Sequence, residues 1–549
     1  MDNRKYNIYF HTHTISGIII CAILYVMFFA GSFSFFKDDI SAWQKNSSYV
    51  EGRKTAKRDF NHILDSLSEK TNLKGRDFDF FIQRHDMGAY VSMTASNDTT
   101  LKKKAKPKPI GEKKKKGRGR GRGADDDSMY FTYNFAKQQA GDYTESYDMG
   151  EFLYRLHFLA QLNVVPLNLG APFGYLLAGI VSFIFLFALI TGLMLHWDKI
   201  VSNFFTFRPW TKWKTLWTDL HTAIGVIGFP FQLIFAVTGV VLIANVLLIG
   251  PFTKYLYKGD GAAIYQDLEY SDTTKFVYSY QPIKSEFSLN DFIAKAEKKW
   301  SHSRITSVQI KNYGDANMMV ILSAKPNASA GFAGTGKMIY RVNDQKMLKE
   351  ISPVSASSYV DKVKSLVYHL HFGDFGGKPL RVIFFVLGAM GCLVIISGIL
   401  IWLVARDKTS IPQKKRIFNF WTANIFMASS LSLLPVTAFT LVSLLFIDKP
   451  GQSDIYHLFF YSWLVLSIYF IIRKNLATTN HQTLILSGIF CLLVPLMDGI
   501  KRSNWLWNTF NQGKFDILFI DLLFLILSVL SIMVLVKMKQ HQKLNPAKA

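Results

Sequence analysis

Eight stretches of this chain are apolar for long enough to matter, near 15–36, 172–196, 222–250, 381–405, 418–447, 455–472, 482–497 and 515–536. A bilayer core of about 30 Å takes roughly 20 apolar residues in a helix, and all eight runs approach or exceed that, the sixth and seventh being the shortest. The pattern predicts a polytopic α-helical membrane protein with about eight transmembrane helices. The first run follows Arg4 and Lys5 and is read as a retained anchor. A signal peptide of 22 apolar residues would be unusually long for its class.

Two long segments, 37–171 and 253–378, interrupt the runs after the first and third helices, so both are expected on the same outer side. In the second, "SLNDFIAKAEKKW" from Ser288 has helical spacing. "ITSVQIKNY" and "ANMMVILSA" alternate like paired strands, and "GKMIYRVNDQKMLKEI" reads as a hairpin turning at Asn343 and Asp344. The first segment repeats this order with a helix at "FNHILDSLSEK", strands at "DFDFFIQRH" and "GAYVSMTAS", and, after a basic insert, "SMYFTYNFA". Helix, outer α+β domain, helix then occurs twice, as in a tandem duplication. The expected organisation is 1–36 with the first helix, 37–171 as one outer domain, 172–252 with helices two and three, 253–378 as a second outer domain, 379–406 with helix four, and 407–549 as a separate block of four helices.

Charge fixes the orientation. With the N-terminus cytoplasmic, the inner segments 1–14, 197–220, 406–416, 473–480 and 537–549 hold 2, 4, 5, 2 and 4 Lys or Arg, against 1 and 3 in the short outer loops 448–454 and 498–514. This is the positive-inside bias, and it predicts both termini in the cytoplasm and both large segments on the outer side of the membrane. The formal charge of +24 does not point to nucleic acid, because 102–122, "KKKAKPKPIGEKKKKGRGRGR", carries twelve basic residues against Glu112 alone. Such a low-complexity run is read as a solvated insert or one that meets lipid headgroups.

Cys21, Cys392 and Cys491 all fall inside apolar runs, leaving no CxxCH haem attachment, iron–sulfur pattern or disulfide framework. The histidines are more informative. In "FHTHTISGIII" from Phe10 and "WTDLHTAIGVIGFP" from Trp217, a His-x-x-x-Gly spacing sits at the mouth of an apolar helix, pairing His13 with Gly17 and His221 with Gly225. With the topology above, His11, His13, His196 and His221 lie at the inner surface, and His157, His369 and His371 at the outer surface. Histidine is tolerated singly at interfaces, but ionisable groups clustered in membrane segments are usually functional. Two neutral imidazoles from facing helices are the axial donors of a low-spin haem, and a glycine one turn along the same face lets a flat macrocycle lie against the backbone. Zinc or copper sites would recruit Cys or carboxylate close by. Only Asp219 and Asp374 are near in sequence, and they are expected to orient imidazoles.

"THTISGIII", "FLYRLHF", "LITGLMLHWDK", "WTDLHTAIGVIGFPFQL" and "VYHLHFGDFGGKPLRVIFFVLGAMGCLVIISGILIW" resemble successive helices of the PepSY-associated transmembrane family, over roughly residues 8–406. That family includes iron-regulated inner-membrane proteins and siderophore reductases with two b-type haems. The resemblance implies that the two outer segments are degenerate PepSY units and that two haem b groups are bound. The implied axial ligands are His13 with His221 on the inner side and His157 with His371 on the outer side. His196 competes for the inner site, and His11 and His369 are weaker alternatives. Each of those two lies two residues from a preferred ligand, about 200° round a helix. The basic insert, the eroded first outer domain and the four added helices depart from the family pattern.

"GFAGTGKM" from Gly331 mimics a phosphate loop, but Met338 stands where Ser or Thr is needed, so it is read as a turn. No GxGxxG follows a strand, so electrons are expected from a partner, a quinol or a cytoplasmic reductase. The reading that results is an inner-membrane dihaem cytochrome acting as a ferric-chelate reductase, with a ferric siderophore as outer partner, lipid around it and no nucleic acid. Two rivals are a PepSY module binding a peptide or protease, and an iron or siderophore transporter in which Asp521 outweighs the histidines.

Overall fold

The computed structural model describes residues 2–49, 58–102, 128–167, 171–205, 208, 213–269, 276–327, 329–355 and 358–544. The chain divides into two compact units. One is built from Met1–Val50, Tyr147–Asp260 and Val367–Ala549, the other from Glu51–Ser146 and Gly261–Leu366.

In the first unit, eight helices among the described residues are long and apolar enough to cross a membrane: Asn3–Ser34, Phe173–Ser202, Lys214–Ile243, Gly377–Arg406, Gln413–Leu444, Gln452–Arg473, Leu476–Arg502 and Phe515–Gln540. They match the eight apolar runs one for one, and the protein is a polytopic membrane protein. The helices that matter below are α1 (Asn3–Ser34), α2 (Lys37–Lys45), α3 (Phe60–Ser68), α4 (Met149–His157), α5 (Phe173–His196), α6 (Trp213–Tyr255), α7 (Leu289–Lys299), α8 (Tyr359–Phe372), α9 (Gly377–Arg406), α10 (Gln413–Leu431), α11 (Leu433–Leu444), α12 (Gln452–Arg473), α13 (Leu476–Arg502) and α14 (Phe515–Leu544).

Helices α1 and α6 each pack on both α5 and α9, so these four close into a ring. The C-terminal helices form a second block in which α13 lies between α11 and α14, and α10 packs on α12. Two short helices join the blocks at one end. Helix α2 starts with Asp38 and Asp39 in its first turn, where carboxylates suit the helix dipole, and stops at Asn46 in the left-handed conformation. Helix α4 is capped by Asp148, whose side chain accepts from the backbone N–H of Glu151, and it ends on His157.

The second unit is an antiparallel sheet of eight strands, β1 (Phe78–Ile82), β2 (Gly88–Met93), β3 (Met129–Asn134), β4 (Gln139–Gly141), β5 (Ser303–Lys311), β6 (Met319–Pro326), β7 (Gly336–Arg341) and β8 (Lys346–Ile351). Their order is β4-β3-β2-β1-β5-β6-β7-β8. Alternate residues bury one face: Phe78, Phe80, Val91, Val308, Val320 and Leu322 form a core with Phe60, Ile63 and Leu64 of α3 and Phe292, Ile293 and Ala296 of α7. Of the stretch expected to be a turn, Gly331–Thr335 is non-regular with bends at Phe332 and Ala333, while Gly336, Lys337 and Met338 open β7.

The division differs from the expected two outer domains over 37–171 and 253–378. Their strands belong to one sheet, joined where Phe78–Phe81 of β1 pair with Ile310–Ser307 of β5. A lone half-sheet would leave β1 or β5 as an edge with a row of unpaired N–H and C=O groups, and antiparallel pairing answers both rows at once. Among the described residues, 37–49, 147–167, 171, 253–260 and 367–378 lie instead in the helical unit. The basic stretch 102–122 falls outside the described residues except for Lys102.

The seam makes a testable demand. Val308 is fully buried and pairs with Phe80 across it, so Val308→Asp buries an unpaired charge, at a cost of several kcal/mol that rivals a domain's net stability. Limited proteolysis of the variant should open both segments, 78–93 as well as 303–326. Cleavage confined to the second segment would mean that the two halves fold independently.

Candidate functional site: two facing histidine pairs

Four of the histidines singled out in the sequence meet in two pairs. His13 of α1 and His221 of α6 face each other with ring centroids 6.1 Å apart and planes inclined by 68°. His157, the last residue of α4, faces His371 of α8 at 5.8 Å and 37°. The second pair rests on Met27 of α1, fourteen residues beyond His13, which at 1.5 Å per residue sets the pairs about 21 Å apart along the bundle.

The means by which each imidazole is held is repeated. His13 Nδ1 lies 2.9 Å from the carbonyl oxygen of Ala188, His221 Nδ1 2.9 Å from that of Val394, and His157 Nδ1 2.7 Å from that of Met27. Four residues after each of those carbonyls comes a glycine: Gly192, Gly398 and Gly31. In a helix the side chain at i+4 leans back over the carbonyl of residue i, so a side chain there would block the approach. A Cβ on Gly192 would stand 2.9 Å from His13 Cε1, one on Gly398 3.2 Å from His221 Cε1, and one on Gly31 2.5 Å from His157 Nδ1. The fourth imidazole uses a variant of the same device. Thr238 stands four residues after Ile234, donates its hydroxyl to the Ile234 carbonyl at 2.5 Å, and presents its own oxygen to His371 Nδ1 at 2.8 Å.

A carbonyl only accepts, and the Thr238 hydroxyl has already spent its proton. Nδ1 is therefore the protonated nitrogen in all four rings, and Nε2 carries the lone pair. At the second pair, burial holds His157 and His371 below the ordinary histidine value, His157 against the opposing bond to Met27. His371 falls to about 3, with the neighbouring His157 as a second cause. Both rings are neutral at physiological pH, the form in which histidine binds a metal.

The other histidines are placed differently. His196 closes α5 one turn past Gly192, close enough to His13 and His221 to interact with them electrostatically. His11 is exposed and makes an edge contact with Phe10. His369 hydrogen-bonds Asp374, so Asp374 does orient an imidazole, though not one of the facing four. Asp219 does not: it grips Arg208 through Nε at 2.8 Å, Nη2 at 2.9 Å and the backbone N–H at 3.1 Å. A guanidinium offers a carboxylate two parallel charge-assisted bonds, which a single imidazole N–H cannot match.

Among the described residues, no group of three or more His, Cys, Asp or Glu side chains is placed to hold a metal ion. Pairs are what the fold supplies, and a pair suits a metal whose remaining donors arrive with it. Two imidazoles that would hold one iron through Nε2 would stand with ring centroids about 6 Å apart, the separation found at both pairs. Gly17 and Gly225, one turn along from His13 and His221, have nothing within 4 Å of where a Cβ would stand. The residues fit a haem at each pair.

Sequence reasoning chose Gly17 and Gly225 because they share a helix with a histidine. It missed Gly192, Gly398, Gly31 and Thr238, which act on a histidine of another helix or segment. "ITGLML", "ISGILI" and "FAGSFS" each set a glycine inside an apolar helix, where it costs about 1 kcal/mol relative to alanine. That was the signal available.

The family model described as PepSY-associated TM region matches residues 10–405. No curated protein matches the chain.

Thr238→Val keeps the shape and removes the acceptor for His371 Nδ1–H, so it should lower stability by about 1–3 kcal/mol. Thr238→Ser retains the hydroxyl and should melt near wild type. Equal melting temperatures for the two variants would refute the assigned bond.

Proposed function

The chain belongs to the PepSY-associated transmembrane family, and from that premise we propose that it is a dihaem b-type cytochrome of the bacterial inner membrane. In this reading it carries electrons from the cytoplasmic side to reduce a ferric chelate, most simply a ferric siderophore, in the periplasm. The observation that carries the reading is the recurrence of one arrangement at two levels of the helical unit: facing imidazoles, each with Nδ1–H tied back and Nε2 bare.

His13 with His221 would hold the inner haem and His157 with His371 the outer one. Bound haem supplies a carrier that takes up and gives back one electron at a time. The rest is the work of the chain. Four Nδ1–H bonds fix the tautomer and the ring directions, which is what outer hydrogen bonds do for histidine ligands generally. The apolar faces of α1, α5, α6 and α9 exclude water. At the end that carries His157 and His371, Phe235 packs against both His371 and Phe384 of α9. One turn before Phe384, Arg381 keeps a buried Nε without a partner, and Lys378 pairs with Asp39 at 2.7 Å. Asp39 thus answers the charge of Lys378, and Arg381 is the cation that an anionic acceptor arriving at that mouth would meet.

The chemistry asked of the acceptor is small. One electron converts Fe(III) to Fe(II), and the hard oxygen donors of a siderophore hold the reduced ion far less well, so iron leaves without a protein nucleophile. A quinol or a cytoplasmic reductase would supply the electron.

A dithionite-reduced minus oxidised visible spectrum of the purified protein, with haem counted per chain, tests the reading. Wild type should carry two b-type haems, and His221→Ala and His371→Ala about one each. Gly31→Ala, which drives a methyl into His157, should weaken the outer haem and leave the inner one. Protein without haem would end this proposal, and full haem with no transfer to ferric siderophores would end its second half.

A further inference from the structure

The four C-terminal helices lie beyond the residues matched by the family model, and they hold a polar cluster that electron transfer does not require. Asp498 of α13 and Asp521 of α14 are both fully buried inside membrane-spanning helices. Ionisable groups in that position are expensive and are usually kept for a task.

Their partners are unequal. Arg502 donates to Asp498 Oδ1 at 3.3 Å, and Asn504 to Asp498 Oδ2 at 3.0 Å. Asp521 receives one bond from a neutral donor, Trp43 Nε1–H of α2, at 2.8 Å to Oδ1, and its Oδ2 is buried with no partner. Arg502 spends its other bonds on the carbonyls of Trp43, at 2.7 Å, and Gln44, at 2.8 Å. The charged groups around Asp521 are Asp498, close enough to repel it, and Arg502 from α13. Lys514, before α14, acts on Asp498, while Asp516 of α14 is taken up by Ser48 Oγ and the Tyr49 N–H. Trp43 faces Asp521 from α2, and along α14 the neighbour from α1 is Phe33, stacked on Phe524.

An ionised Asp521 would be a buried charge beside a like charge, with one oxygen unanswered. A carboxylic acid needs neither counter-ion nor second donor. A metal cation would want about six oxygens and would meet the guanidinium of Arg502.

We propose that Asp521 is a proton-binding site, a carboxylic acid lying about 9 Å inside the start of α14. Asp498, Arg502 and Asn504 are its link to the aqueous end of the bundle. The step is R–COOH ⇌ R–COO⁻ + H⁺, with the proton passing to and from water at that end. Its consequence is mechanical. Ionisation makes two carboxylates compete for Arg502, whose bonds to Trp43 and Gln44 anchor α2. Helix α2 in turn holds α4, through Gln44 Oε1 to the Met149 N–H at 2.7 Å and through Ser41 and Lys45 to Asp148 at 2.7 and 2.5 Å.

Infrared difference spectroscopy against pH, on the full chain in nanodiscs, tests the site without haem or electron transfer. Wild type should show a protonated-carboxyl C=O band that Asp521→Asn removes and Asp498→Asn keeps. Trp43→Phe, which leaves the acid but removes its indole donor, should move the band to higher frequency. Amide exchange over 37–45 should rise with pH beyond the intrinsic rate in wild type and not in Asp521→Asn. Absence of the band in wild type, its survival in Asp521→Asn, an unmoved band in Trp43→Phe, or identical exchange in wild type and Asp521→Asn would each overturn the proposal.

Discussion

A hydrogen bond from an imidazole to the carbonyl of a neighbouring helix organises the membrane part of this protein. It can form only where the residue four positions on has no side chain, or has one that passes the bond along. Three glycines, Gly31, Gly192 and Gly398, meet the first condition, and Thr238 meets the second. Helix carbonyls are normally engaged within their own helix and covered by side chains. A ring that reaches one must come close, and the glycine that allows this also lets the helices approach. Each bond leaves Nε2 as the nitrogen that carries the lone pair. Pairing, tautomer and helix packing follow from one local arrangement used four times.

The same economy governs α2 and α4, which are too short to be stable alone. Helix α4 ends on His157 and is held by α2 through Asp148 and Met149. Helix α2 is held by the C-terminal block through Trp43, Gln44 and Asn46. His157 therefore owes its position partly to helices some 350 residues further along the chain. That gives the added block a structural task within the helical unit, whatever else it does. Asp148 illustrates the balance of terms. Burial alone would push its carboxyl up, yet the Lys45 ammonium, Ser41 Oγ–H and the Glu151 N–H hold it below the usual carboxylate range. It stays ionised as both cap and ion-pair partner.

The sheet unit was less legible than the helical unit. Alternation located seven of its strands and both helices, because a half-buried strand has period two wherever it lies. Alternation does not say which edge meets which. The pairing of β1 with β5 joins segments more than 200 residues apart, and it made one sheet out of what read as two domains. Helices α2 and α4 were assigned to the outer domain for a similar reason: their contacts are with remote helices rather than with neighbours in sequence.

The sequence by itself determined the eight membrane helices, the helix-and-strand order of the sheet unit, the family, and the histidines worth attention. All of these depend on local composition and spacing, which hydrophobicity and helix geometry translate directly. Tertiary structure alone decided that His13 meets His221 and His157 meets His371, that Asp219 serves Arg208 rather than an imidazole, and that the glycines beside the rings belong to other parts of the chain. It also decided that Asp521 has Trp43 as a partner and, among the described residues, no cation in contact with it. These are relations between helices, and a helix's sequence specifies its faces but not which neighbour covers them.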